Sequence, residues 1–158
     1  MSLWVDKYRP QSLSKLSCHT TLTQTLQKLV ESESFPHLLV YGPPGSGRKT
    51  RVMAMLRAIY GASVEKLKVE HKNWKVRSTK VDITTIASIH HIELCPSDVG
   101  NHDRFVIQEV LKEIAASVPF DQKLFKVVVI KDVDRLSKGA QHALRKTMEK
   151  YMATCRLV

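Results

Sequence analysis

The chain has 158 residues, 43% of them apolar and 25% charged, which is the balance of one ordinary soluble globular domain with a sizeable core and excludes a disordered tail or a collagen-like rod. Lysine and arginine outnumber the acids by 25 to 15, a net charge of +10 at pH 7 that predicts attraction to polyanions and says nothing about fold. No apolar run nears the ~18 residues a bilayer span requires and the opening residues lack a signal-peptide core, so an intracellular protein with no membrane partner is expected. Cys18, Cys95 and Cys155 form no C-x-x-C pair, which argues against disulfide and zinc scaffolds and for reduced, mostly buried thiols.

Along the chain, Leu22, Leu26, Leu29 and Val30 have the spacing of an amphipathic helix over 19–31, ended by Phe35-Pro36. The short run His37-Leu38-Leu39-Val40-Tyr41 reads as a buried parallel strand. A second helix runs from Thr50 to Tyr60 on Val52, Met55, Leu56 and Ile59, with Gly61 as its stop. Val64–Glu70 and Val81–Ile86 alternate with period two and can pair as a hairpin across the basic stretch Lys72–Lys80; a third strand follows over Ile89–Leu94. Helical spacing returns at Phe105, Val106, Val110, Leu111 and Ile114, before Pro119 and a polar loop. Phe125–Ile130 is the strongest strand signal, and Ser137 is the expected N-cap of a helix over Ala140–Tyr151. Cys155–Val158 reads as a strand cut off as it begins, the expectation for a fragment. Strand, loop, helix and strand again predict one α/β domain with a parallel sheet.

Gly42-Pro43-Pro44-Gly45-Ser46-Gly47-Arg48-Lys49-Thr50 lies between a predicted strand and a predicted helix, the context a phosphate-binding loop requires. Glycines there let successive N–H groups converge on an anion at the positive end of the helix. The strict pattern G-x-x-x-x-G-K-[ST] fails. In the natural register Arg48 takes the lysine position and Lys49 the position of the metal-binding hydroxyl; in an alternative register, one residue longer, Lys49-Thr50 is the functional pair. The partner motif, an apolar strand ending in acids, is Val127-Val128-Val129-Ile130-Lys131-Asp132, with Lys131 where a metal-binding acid is usual and Asp132 as the candidate catalytic carboxylate. Both halves of a magnesium site are thereby impaired. Nucleotide binding with little or no hydrolysis is the expectation, ATP or ADP being the ligand and magnesium left open. His90-His91-Ile92-Glu93 is not expected to bind metal, since alternation sends the two histidines to opposite faces. Trp4 and Trp74 are expected to pack rather than to stack on bases.

Four segments carry a family resemblance: Leu3-Trp4-Val5-Asp6-Lys7-Tyr8-Arg9-Pro10, the approach Pro36–Pro43, Pro96–Arg104 with Val106-Ile107-Gln108-Glu109, and Ala140–Tyr151. Together they resemble replication factor C small subunits, AAA+ ATPases of the sliding-clamp loader; the doubled basic residue after Gly47 and the hairpin before Ile89 are nearest to the subunit-three type. The resemblance implies a P-loop NTPase (AAA+) three-layer α/β domain with a parallel central sheet over residues 1–158, incomplete at its C-terminus, the helical lid and oligomerising collar being absent. It implies that Val5, Tyr8, Arg9 and Pro10 line an adenine pocket beside the phosphate loop, and that Arg104, Lys138, Arg145 and Lys146 meet DNA phosphates. Cations near a helix N-terminus need a stabilising partner, and phosphate supplies one.

The expected role is therefore that of a nuclear clamp-loader subunit in DNA replication and repair, whose partners are the other replication factor C subunits of a hetero-pentamer, the sliding clamp and primer–template DNA. A standalone P-loop NTPase and a basic DNA-binding module with a vestigial nucleotide site are the alternatives.

Overall fold

In the computed structural model, residues 3–32, 35–76, 79–116 and 125–158 are described, and the chain divides into two units, residues 1–66 and 67–158. The first unit begins with a single helical turn, α1 (Trp4–Lys7), and a 3-10 turn at Leu13–Lys15. Then come α2 (Thr20–Glu31) and α3 (Arg48–Tyr60). Val52, Met55 and Leu56 form the buried face of α3, as their spacing predicts. In α2 the predicted face is only half covered: Leu22 is exposed, Leu26, Leu29 and Val30 are half-buried, and the buried residue is Thr23, whose hydroxyl donates to the His19 carbonyl.

Residues 35–42 carry no regular element, so the strand expected at 37–41 is corrected. Leu39 and Tyr41 are 76% and 85% exposed. A strand exists only where a neighbouring strand takes its N–H and C=O groups, and residues 38–41 have no ladder partner among the described residues. The expected strand at Val64–Glu70 also starts late. Gly61 ends α3, the Ser63 hydroxyl donates to the Tyr60 carbonyl, and Gly61–Glu65 continues as a 3-10 turn.

The second unit is built on a five-stranded mixed sheet in the order β1-β2-β3-β4-β5. β1 (Lys68–Val76) and β2 (Thr79–Ala87) form the predicted hairpin, with Lys68 opposite Ala87 and Val76 opposite Thr79. Its arms take up most of the basic stretch expected as the connection; the side chains of Lys72, Trp74, Lys75 and Lys80 lie outside the described ones. β3 (His91–Leu94) is antiparallel to β2 and parallel to β4 (Lys126–Ile130), and β5 (Cys155–Leu157) is parallel to β4. The parallel sheet expected from sequence is thus β3-β4-β5, extended by an antiparallel hairpin. The loop expected after Pro119 lies outside the described residues.

The helix predicted at 105–114 is made of α4 (Asp103–Phe105), a π-helical segment Val106–Val110 and α5 (Leu111–Ala116). The buried pairs Val106-Ile107 and Val110-Leu111 recur every four residues. On a straight α-helix that repeat drifts about 40° per step, and a wider i→i+5 turn takes up the drift. α6 (Lys138–Lys150) starts behind Ser137, whose hydroxyl accepts the Ala140 N–H as predicted. These helices and the strands enclose one core that includes Val81, Ile83, Leu94, Val128, Ile130, Ala140 and Ala143.

The three thiols are free, but only Cys155 is buried; Cys95 is half-buried and Cys18 exposed, in the segment just before α2. Burial pushes the Cys155 thiol up to about 11.

Candidate nucleotide and phosphate-contact sites

The loop 42–50 closes through the Ser46 N–H, which donates to the Pro43 carbonyl at 3.2 Å. Gly42 has φ +155° and a Cβ there would stand 3.0 Å from Ser46 Oγ, so the turn requires glycine. Gly47, at φ +78°, stands at the N-cap of α3, and no side chain caps that helix. α3 begins at Arg48. Ser46 Oγ is buried with no hydrogen-bond partner. An uncapped helix start, a glycine cradle and an orphaned hydroxyl, flanked by exposed Arg48 and Lys49, fit a phosphate oxygen. Pro43, Pro44 and Gly45 are exposed at the tip.

Within the same unit the N-terminal segment is tied to α3. Arg9 Nη1 donates to Thr50 Oγ1 at 3.1 Å, Arg51 donates to the Cys18 carbonyl at 2.7 Å, and Arg57 donates to Gln11 at 2.8 Å while pairing with Glu65. A cleft of about 360 Å³ is lined by Lys7, Tyr8, Arg9, Pro10, Gln11 and Lys15. Tyr8, Arg9 and Pro10 thus share one cleft; Val5 does not line it and is exposed on α1. Trp4, expected to pack, is 81% exposed, because α1 is a single turn with no buried residue.

At the end of β4, Lys131 Nζ lies 2.5 Å from Glu93 Oε2. Glu93 is 2% exposed on β3, with His91 Nε2 at 3.7 Å from its other oxygen; His91 Nδ1 meets the Ser88 hydroxyl at 2.6 Å. Lys131 is therefore the counter-ion of a buried carboxylate. Asp132 is exposed and adopts φ +50°, a left-handed conformation that aspartate tolerates. Burial raises the Cys95 thiol above its ordinary range, the Ser97 hydrogen bond opposes it, and the charges of Asp98 and Asp132 add to the rise. At the strand end Lys131 brings positive charge where a metal would need an acid, and at the loop the Thr50 hydroxyl accepts from Arg9. No cluster of three or more His, Cys, Asp or Glu able to hold a metal occurs among the described residues, His90 and His91 included.

Arg104, Lys138, Arg145 and Lys146 are all exposed. Lys138 and Arg145, seven residues apart on α6, share a face about 10 Å long. Arg104 approaches the first turn of the helix on another side, since a Cβ at Gly139 would lie 3.4 Å from Arg104 Cδ and Gly139 is seven residues before Lys146. Lys146 sits one residue round the helix.

The sequence profile of the Rad17 P-loop domain matches residues 1–157. The chain belongs to the Rad17 P-loop domain family. It is 57% identical over 162 residues to "Replication factor C subunit 3" of Bos taurus, 56% identical over 162 residues to that of Mus musculus, and 53% identical over 163 residues to that of Arabidopsis thaliana. These alignments cover 99–100% of the chain and 46% of each relative, so the chain spans about half the length of the curated relatives it matches. The resemblance to replication factor C small subunits and the P-loop fold class read from four motifs both hold.

In this Rad17-type P-loop domain the predicted nucleotide residues other than Val5 lie in the loop 42–50 or in the cleft joined to it through Arg9 and Thr50, all within the first unit. The predicted phosphate-contacting cations and Asp132 belong to the second. Sequence reading missed Glu93 and Asp103. Strand alternation puts His91 and Glu93 on one face, and a buried acid one step before the end of β3 demands a cation from the parallel neighbour, which is where Lys131 follows Ile130.

Proposed function

We propose that this chain forms the nucleotide-binding part of a sliding-clamp-loader subunit, acting in the nucleus in DNA replication and repair. It binds ATP or ADP through the loop 42–50 and the cleft at Tyr8, Arg9 and Pro10, with little hydrolysis of its own. Its partners are other replication factor C subunits, the sliding clamp and primer–template DNA, whose backbone Arg104, Lys138, Arg145 and Lys146 contact without reading sequence. The observation that carries the reading is the orphaned Ser46 hydroxyl in a glycine cradle at an uncapped helix start, in a chain whose relatives are named as replication factor C subunits. The low turnover rests on Arg48, Lys49 and the Lys131–Glu93 pair.

Titration calorimetry of the chain with ATP and with ADP, each with and without magnesium, tests it. Binding with similar affinity in both conditions, and negligible phosphate release, is expected. No heat from either nucleotide would overturn the reading. A basic DNA-binding module with a vestigial nucleotide site is favoured by one observation, the exposed cations Lys138, Arg145 and Lys146 on α6 with Arg104 beside its first turn; it predicts duplex affinity that nucleotide leaves unchanged.

A further inference from the structure

Asp103 is 3% exposed, and a buried carboxylate is tolerated only when its oxygens are filled. Here donors from two distant helix starts fill them. Oδ1 accepts the Arg104 backbone N–H at 2.6 Å and the Ser137 hydroxyl at 2.9 Å; Oδ2 accepts the Ser137 backbone N–H at 2.6 Å. The Ser137 hydroxyl in turn accepts the Ala140 N–H that it caps, at 3.2 Å. One carboxylate thereby locks the start of α4 to the start of α6 across 34 residues of sequence. The lock has a visible product. The stem of Arg104 runs past Gly139, its Cδ 3.4 Å from where a Cβ there would stand, at the helix turn that bears Lys138. None of Arg104, Lys138, Arg145 and Lys146 has an ion-pair partner among the described residues. Asp103 forms no ion pair with them; its oxygens accept from neutral donors. Like charges brought near one another without a counter-ion repel, and the part-buried bonds of Asp103 oppose that repulsion.

We propose that Asp103 is a positioning residue for duplex DNA. Its carboxylate sets Arg104 at the first turn of α6, next to Lys138 and on the side of the helix that carries Lys146, so that these cations meet successive phosphates of one backbone as a single rigid face. This rests on the DNA-contact reading above and names a residue that touches no DNA itself. Rigid placement matters because each cation then engages its phosphate without a further ordering cost.

The test uses the full chain and a fluorescent mixed-sequence duplex, with affinity measured across a salt series for wild type, Asp103→Asn, Arg104→Gln, the double variant, and Ser137→Ala with and without Arg104→Gln. Circular dichroism and melting ensure that only folded variants are compared. Asparagine turns one acceptor into an amide donor facing the Ser137 N–H, which opens the lock at nearly constant volume. The expected result is a loss of about five- to tenfold for Asp103→Asn, with the slope of log affinity against log salt reduced by about one, as for Arg104→Gln. The double variant should bind no more weakly than Arg104→Gln alone. Ser137→Ala, which breaks one bond of the lock, should lose about two- to threefold and be equally silent in the Arg104→Gln background.

Additive losses, or lost affinity with an unchanged salt slope, would overturn the positioning role while leaving the DNA reading intact. Should Asp103→Asn not fold, a folded Ser137→Ala that binds like wild type overturns it equally. Wild-type chain with no salt-dependent duplex binding would instead remove the DNA reading, and this inference with it.

Discussion

Two helix starts in this protein carry the same charge pattern and opposite construction. α3 opens on Gly47 with no side-chain cap, next to a Ser46 hydroxyl that nothing satisfies, and has Arg48 and Lys49 in its first turn. α6 opens on Ser137, whose hydroxyl takes one amide while Asp103 takes the serine's own N–H, and has Lys138 in its first turn. An uncapped start offers main-chain donors to an external anion; a capped start offers only the cationic side chains around it. The difference separates two ways of holding phosphate: a cradle that encloses a polyphosphate tail, and a raised face that lies along a backbone. It extends to the strand end, where Lys131 is the counter-ion of buried Glu93.

The contrast can be broken or sharpened by substitution. The largest effect is expected from Lys131→Asp, which sets a second carboxylate against buried Glu93. Stability should fall by about 3 kcal/mol in urea unfolding, and no magnesium dependence of nucleotide binding should appear. A variant as stable as wild type that binds nucleotide only with magnesium would show that the strand end is an open metal site after all. A second effect comes from pH. The Cys155 thiol, ordinarily near 9.0, titrates near 11 in the folded chain, so the unfolded chain ionises first as pH rises. Its contribution is fully present below pH 9 and is lost by about pH 11, roughly 2–3 kcal/mol in all, and Cys155→Ala should flatten that limb of the stability profile. The exposed Cys18 should alkylate at once at pH 8, with Cys155 protected until unfolding.

Closing the open start is a smaller change. Gly47→Ala forces a Cβ into a left-handed conformation, at about 1 kcal/mol, and should weaken ATP binding about tenfold while leaving duplex affinity alone. Opening the closed one by Ser137→Ala should cost about 1 kcal/mol and leave ATP affinity unchanged. A loss of ATP affinity in Ser137→Ala as large as in Gly47→Ala would mean that the two starts do not differ in kind.

Much of this was legible from the chain because it depends on neighbours in sequence. The glycine spacing at 42–47, the Ser137 cap three residues before Ala140, and the apolar runs of β4 and α3 are local patterns, and local sterics and hydrogen bonding decide them. Other features need a partner that sequence order does not supply. Whether 37–41 becomes a strand depends on a ladder; whether Lys131 repels a metal or neutralises an acid depends on Glu93 standing beside it across the parallel register; whether Asp103 is a solvated charge or a lock depends on Ser137, 34 residues away. Burial decides all three, because the energy of a polar group or a backbone amide is set by what replaces its water, and only the folded chain chooses the replacement.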